Sequence, residues 1–94
     1  MKKVELAEAK AMLKEILAVK SASHTSIGTV LKIGRSYIDS KQLQGFGELE
    51  APLKAVIEAS QSAKNGVIML DETVWKELEN TYYERVTRHL FFQA

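Results

Sequence analysis

Four consecutive apolar residues, Val67-Ile68-Met69-Leu70, lie between Asn65-Gly66 and Asp71. No other stretch restricts the fold as much. A turn precedes the run and a helix cap follows it, so it is too short to be a helix of its own. An extended segment must satisfy its backbone with a partner strand or be tucked against other elements. The candidate strand partner in the sequence is 27–33, where Ile27, Thr29, Leu31 and Ile33 alternate with Gly28, Val30 and Lys32. The same region also carries a helical stripe, Ile27, Val30, Leu31, Gly34, Tyr37 and Ile38. The stripe is the longer of the two patterns. The spacing therefore predicts a helix over 27–39, with 66–70 as a short extended connector buried between helices. The alternative is an α+β fold in which 27–33 pairs with 66–70.

The rest of the chain reads as helix. Leu6, Ala9, Leu13, Ile16 and Leu17 recur at spacings of three and four, which predicts a helix over 4–20 rich in good helix formers. The polar run 21–26 ends it, and Thr25 or Ser26 is placed to cap the next helix. Q-L-Q-G-F-G at 42–47 is a break in which two glycines free the backbone around Phe46. Glu48, Glu50 and Pro52 then open a helix over 50–64 that buries Leu49, Leu53, Val56 and Ile57. Asn65-Gly66 is a helix C-cap or a tight turn. Asp71 is the expected N-cap of a last helix over 72–90, with Leu70 and Trp75 placed to form a hydrophobic staple across it. Its stripe is Trp75, Leu78, Tyr82, Val86 and Leu90. The fold class is thus mainly α, a bundle of three to four helices in one domain over 1–94.

Composition bounds the function. Hydrophobic residues are 46% and charged residues 27%, a globular balance. There is no cysteine, hence neither a disulfide framework nor a thiolate metal site. Glu5 and Glu8 interrupt the amino-terminal region, which a secretory leader would keep apolar, and no apolar run reaches membrane-spanning length. The expected location is cytoplasmic, with no membrane partner. The net charge of +1 divides unevenly, +4 over 1–45 and −3 over 46–94. The halves can complement each other within the fold, or the basic face can meet an acidic partner or a second copy.

The residues that usually carry chemistry are dispersed. His24 and His89 are far apart and lack spaced co-ligands. There is no G-x-S-x-G nucleophile turn, and G-F-G lacks the later glycine and lysine of a phosphate loop. The carboxylates crowding the second half read as a solvated surface. No cofactor and no enzymatic activity are expected.

The aromatic residues are more informative. Trp75, Tyr82, Tyr83, Phe91 and Phe92 all fall between 75 and 92. Trp75 and Tyr82 share the core stripe, whereas Tyr83 points off it. Leu90-Phe91-Phe92 cannot all face one core from a single helical turn. Either the tail folds back or it buries against a second chain, where aromatic residues contribute strongly. The candidate protein interface is Trp75, Tyr82, Tyr83, Leu90, Phe91 and Phe92, with Phe46 a further member.

Two short stretches resemble known families. I-G-R-S-Y-I-D-S-K at 33–41 resembles the turn and recognition helix of helix-turn-helix regulators, with Gly34 ending one helix and Arg35 and Ser36 opening the next. The resemblance implies a DNA contact through Lys32, Arg35, Ser36 and Lys41; its departures are Ile33 ahead of the glycine and Asp39 on the reading helix. Leu43-Gln44-Gly45 resembles the Leu-x-Gly turn of the small helical-hairpin proteins of type VII secretion, which implies two long helices. That family's carboxyl-terminal tyrosine with an acid four residues on is missing, because Val86 and Thr87 stand there. The favoured expectation is a small non-enzymatic accessory or regulatory protein, of the kind found in bacteriophages and mobile elements. It would bind a protein partner or form a homo-oligomer. A DNA-binding regulator is the alternative and a secretion hairpin protein the further one.

Overall fold

The computed structural model describes residues 1–19 and 26–93, together with the side chains of all of these except 86 and 88–93. A strand β1 (Lys2–Glu5) leads directly into helix α1 (Leu6–Ile16). Helix α2 (Ile27–Asp39) follows, then a 3-10 segment (Gln42–Leu49) and helix α3 (Glu50–Gln61). Strand β2 (Val67–Leu70) and the long helix α4 (Glu72–Gln93) complete the described chain. The molecule is mostly helical, with four helices and one two-stranded antiparallel sheet among the described residues.

V-I-M-L does pair, but not with 27–33. Lys2 lies opposite Leu70, Lys3 opposite Met69, Val4 opposite Ile68 and Glu5 opposite Val67. The expected buried connector is therefore a strand, and the alternative pairing with 27–33 is overturned because 27–39 is helix. The amino-terminal end of the expected helix 4–20 is also corrected: Val4 and Glu5 are strand. K-K-V-E has one apolar residue, too few for a strand pattern. Its extended form comes from β2, which buries Ile68 and Leu70 and needs its backbone hydrogen bonds met. Val4 supplies the matching inward residue.

The turn before β2 has Asn65 at φ 57° and Gly66 at φ 73°. Positive φ at both central residues marks a type I′ turn, which favours Asn-Gly. Val67 N–H donates across it to the Lys64 carbonyl at 3.2 Å, and Leu6 N–H reaches the Gly66 carbonyl at 2.8 Å. The turn thereby joins the start of α1 to the end of the sheet.

The helix ends follow local chemistry. Ser26 caps α2, its hydroxyl accepting from Thr29 N–H at 3.2 Å. Asp71 Oδ1 accepts from Thr73 N–H at 2.8 Å and from the Thr73 hydroxyl at 2.6 Å at the start of α4. Helix α1 stops at Ile16, short of the expected 20. Ala18 takes the left-handed conformation (φ 54°) and donates to the Glu15 carbonyl at 3.2 Å, and Val19 donates to the Lys14 carbonyl at 3.0 Å. This is a Schellman ending, with alanine where glycine is usual. Helix α3 stops at Gln61 and not at 64, and α4 continues beyond the expected 90 to Gln93.

The core joins all of these elements. Val4, Leu13, Ile16, Val30, Leu53, Val56, Ile57 and Leu78 are fully enclosed. Leu13, Ile16, Val30, Leu53, Val56, Ile57 and Leu78 are members of the helical stripes read from the sequence. At the α2–α3 crossing Gly34 is buried, and a Cβ built on it would lie 3.0 Å from Cδ1 and Cγ1 of Ile57. A glycine there lets two helix backbones approach at the cost of about 1 kcal/mol in helix propensity.

Candidate functional site

Helices α1 and α4 meet differently, with a groove between them. On α4, Trp75, Glu79, Tyr82 and Tyr83 fall on adjoining rows because they are spaced by four, three and one. On α1, Glu8, Ala11 and Met12 face them. The space between is about 250 Å³. Ala11 is the reason it stays open: a single methyl group cannot fill the gap beside Tyr82.

The floor and rim differ in character. Met12 and Trp75 are buried, at 4% and 3% exposed, and close the groove from the core side. Tyr82 is half-buried and packs on the core, whereas Tyr83 is 58% exposed. Their rings meet edge to face, with centroids 5.6 Å apart and planes at 72°. Glu8 is exposed and Glu79 half-buried on the rim. Neither carboxylate of the rim has an ion pair or hydrogen bond among the described residues.

Arg85 fixes the far end of the groove. Its Nη1 donates to the carbonyls of Glu15 at 3.3 Å and Ile16 at 3.2 Å, in the last turn of α1. The Glu15 carbonyl also accepts from Ala18 N–H, and both carbonyls lie at the negative end of the helix dipole, where a guanidinium is favoured. Helix α4 then continues from residue 86 to 93, a further 12 Å or so.

The expected interface residues fall into separate places. Tyr82 and Tyr83 are together at the groove. Trp75 belongs to the core and has almost no surface to offer, which removes it from any contact except as floor. Phe46 is half-buried elsewhere, packed on the core, with Tyr37 as its ring partner at 6.2 Å. Gly47 beside it has φ 59° and ψ −123°, a conformation open essentially to glycine alone. The side chains of Leu90, Phe91 and Phe92 lie outside the described residues, although their backbone continues α4.

The expected DNA-contact residues are only partly assembled. Lys32, Arg35 and Ser36 share one exposed face of α2 with Asp39 and Ser40. Arg35 Nε lies 3.4 Å from Asp39 Oδ1, one turn on, which offsets its charge locally. Gly34 does not end a helix: α2 runs unbroken from Ile27 to Asp39, so the turn that the resemblance implies is not formed. Its role is close packing on Ile57. Lys41 stands apart in the left-handed position after α2 (φ 62°), donating from its backbone N–H to the Ile38 carbonyl. Leu43-Gln44-Gly45 lies in the 3-10 segment, between helices of 13 and 12 residues and not two long arms.

Sequence reasoning missed Glu8, Ala11, Met12 and Glu79. Glu79 was within reach, since it sits three and four residues before Tyr82 and Tyr83 on the same helix. The α1 residues were not, because nothing in the sequence states that α1 lies against α4 on that side. Among the described residues no helix is long and apolar enough to cross a membrane. Comparison with protein-family models, with curated proteins and with solved structures gives no match. The functional reading therefore rests on the surface of the molecule itself.

Proposed function

We propose that this chain is a small non-enzymatic accessory protein that binds another protein along the α1–α4 groove and the outward face of α4. The observation that carries the reading is Tyr83. A large ring more than half exposed, held edge-on by Tyr82 beside a groove with a buried Met–Trp floor, has the anatomy of a binding anchor. Tyrosine is enriched at interfaces because it offers wide contact area at small entropic cost, and a pocket beside it provides for a partner's own anchor. The further apolar residues Leu90, Phe91 and Phe92 follow on the same helix.

The test is capture of a partner from the native host by the whole chain and by a Tyr83→Ser variant, together with truncation after Arg88. The expected result is a captured protein that is lost with either change, at unaltered melting temperature for Tyr83→Ser. The competing reading uses the exposed Lys32–Arg35–Ser36 face of α2 on nucleic acid. It predicts binding that falls steeply with salt and is abolished by Arg35→Ala and Lys41→Ala, whereas an apolar contact persists in salt. If those two changes abolish function while truncation after Arg88 is silent, the groove is not the working surface.

A further inference from the structure

We infer that Asn65 is a site of spontaneous deamidation, and that one of the two products unfastens the junction of β1 and α1. Asparagine is a thermolabile residue. The chain has two, Asn65 and Asn80, and the fold treats them differently. Asn80 lies inside α4, where the helical ladder holds the Thr81 N–H and a β-branched side chain crowds it. Asn65 is exposed in the turn before β2, and Gly66 after it has no side chain to shield its nitrogen. Among the described residues neither the Gly66 N–H nor the Asn65 side-chain amide has a hydrogen-bond partner. The turn is closed by Val67 N–H on the Lys64 carbonyl at 3.2 Å, and opening so short a surface segment costs far less than unfolding.

The chemistry needs only water. The Gly66 nitrogen gives up its proton to solvent and bonds to Asn65 Cγ. The Cγ–Nδ2 bond breaks and ammonia leaves, taking a proton from solvent, so that a cyclic imide joins the two residues. Water then adds across one of the two imide C–N bonds. Breaking the bond to Cγ leaves aspartate in an unchanged backbone. Breaking the bond to the Asn65 carbonyl carbon leaves isoaspartate, whose backbone runs through Cβ and Cγ and is longer by a methylene. The first product fits the turn, since aspartate tolerates the left-handed conformation that Asn65 holds at φ 57°. The second does not. Its added methylene lies between Lys64 and Val67, which face each other across the turn, and displaces the Gly66 carbonyl that sits 2.8 Å from Leu6 N–H. Leu6 is where β1 passes into α1, so the end of the sheet loosens there.

The folded full chain is incubated at mildly alkaline pH in heavy-oxygen water and then digested in ordinary water. Cleavage after Lys64, Lys76 and Arg85 places the two asparagines on separate peptides. The expected result is a gain of about 3 Da on the peptide that begins with Asn65, as an amide NH2 is exchanged for a heavy-oxygen OH. Asn80 should convert about tenfold more slowly, its neighbour's N–H being released only when the helix opens. The intact isoaspartyl and aspartyl proteins are then separated by chromatography. Hydrogen exchange at the Leu6 amide should be about tenfold faster in the isoaspartyl protein, and native in the aspartyl protein and in Asn65→Asp. Absence of the gain at Asn65 in the folded chain overturns the inference, whatever the unfolded chain does. So does an equal rate at Asn80. Native Leu6 exchange in the isoaspartyl protein overturns it as well, since the turn would then hold its junction with an altered backbone.

Discussion

The α2–α3 and α1–α4 contacts are both helix pairs on one core, yet one is closed and the other open. Where α2 crosses α3, Gly34 removes a side chain and Ile57 fills the space, so a Cβ would be only 3.0 Å from its neighbour. Where α1 lies beside α4, Tyr82 and Tyr83 stand opposite Ala11 and Glu8, and about 250 Å³ is left between them. A small residue opposite a shaped aliphatic one lets backbones approach. A small residue opposite a large ring that also reaches water leaves a cleft. The difference separates a filled contact from an open cleft.

Breaking the closed contact should have the largest effect. Gly34→Leu is expected to destabilise the fold by about 3 kcal/mol or more, because the enclosed Ile57 has nowhere to move. Gly34→Ala should cost about 1 kcal/mol, its strain offset in part by better helix propensity. Combining Gly34→Ala with Ile57→Val, which removes Cδ1, should recover part of the crowding term; chemical denaturation of the four proteins gives the coupling directly. No coupling would mean that the tight approach is not what holds the two helices.

The open contact should respond at its ends. Arg85→Ala is expected to cost about 1 kcal/mol by exposing the last carbonyls of α1, with Arg85→Lys recovering the charge but not the two-carbonyl geometry. Ala18→Gly should stabilise by about 1 kcal/mol, since glycine takes the left-handed ending of α1 without strain. A loss of stability in its place would show that the Ala18 methyl packs on something that matters. Tyr83→Ser should change stability by less than about 0.5 kcal/mol, as an exposed ring contributes little to the core. An equally small effect on partner capture would close the distinction between the two contacts.

The smallest effect is a pH dependence at the start of α4. The Thr73 hydroxyl, and then its backbone N–H, hold the Asp71 carboxyl below the usual carboxylate range. A lowered native pKa stabilises the fold above that range, and the contribution is lost as pH falls through the native value. The acid limb of stability against pH should therefore be shallower in Asp71→Asn than in the native chain. Identical limbs would mean that the cap does not depend on the charge.

Much of the architecture was legible because it is local. Ser26, Asp71 and Asn65-Gly66 punctuate the chain through atoms within three residues of themselves, and each did so where expected. Leu53, Val56, Ile57 and Leu78 fell on the buried faces that their spacing implied. The boundary of α1 was misplaced for the same local reason: leucine and valine after Ile16 extend the stripe, while the left-handed turn at Ala18 leaves no mark in an alanine. Gly34 lies on the buried stripe of 27–39 as its spacing implied, and only the resemblance to a helix-turn-helix made it a helix end, because a glycine that lets a helix approach looks, in sequence, like one that stops it. Of the candidate site, Tyr82 and Tyr83 were legible and the α1 side was not.

By itself the sequence determined which segments are helical, where they are capped and which residues seek the interior, since each of these depends on neighbours one or two turns away. Tertiary structure decided that K-K-V-E is a strand, that Gly34 marks a crossing, that Arg85 caps a distant helix and that Ala11 faces Tyr82. Each of those depends on a partner far along the chain. A residue with weak preferences of its own takes its role from whatever the fold sets against it.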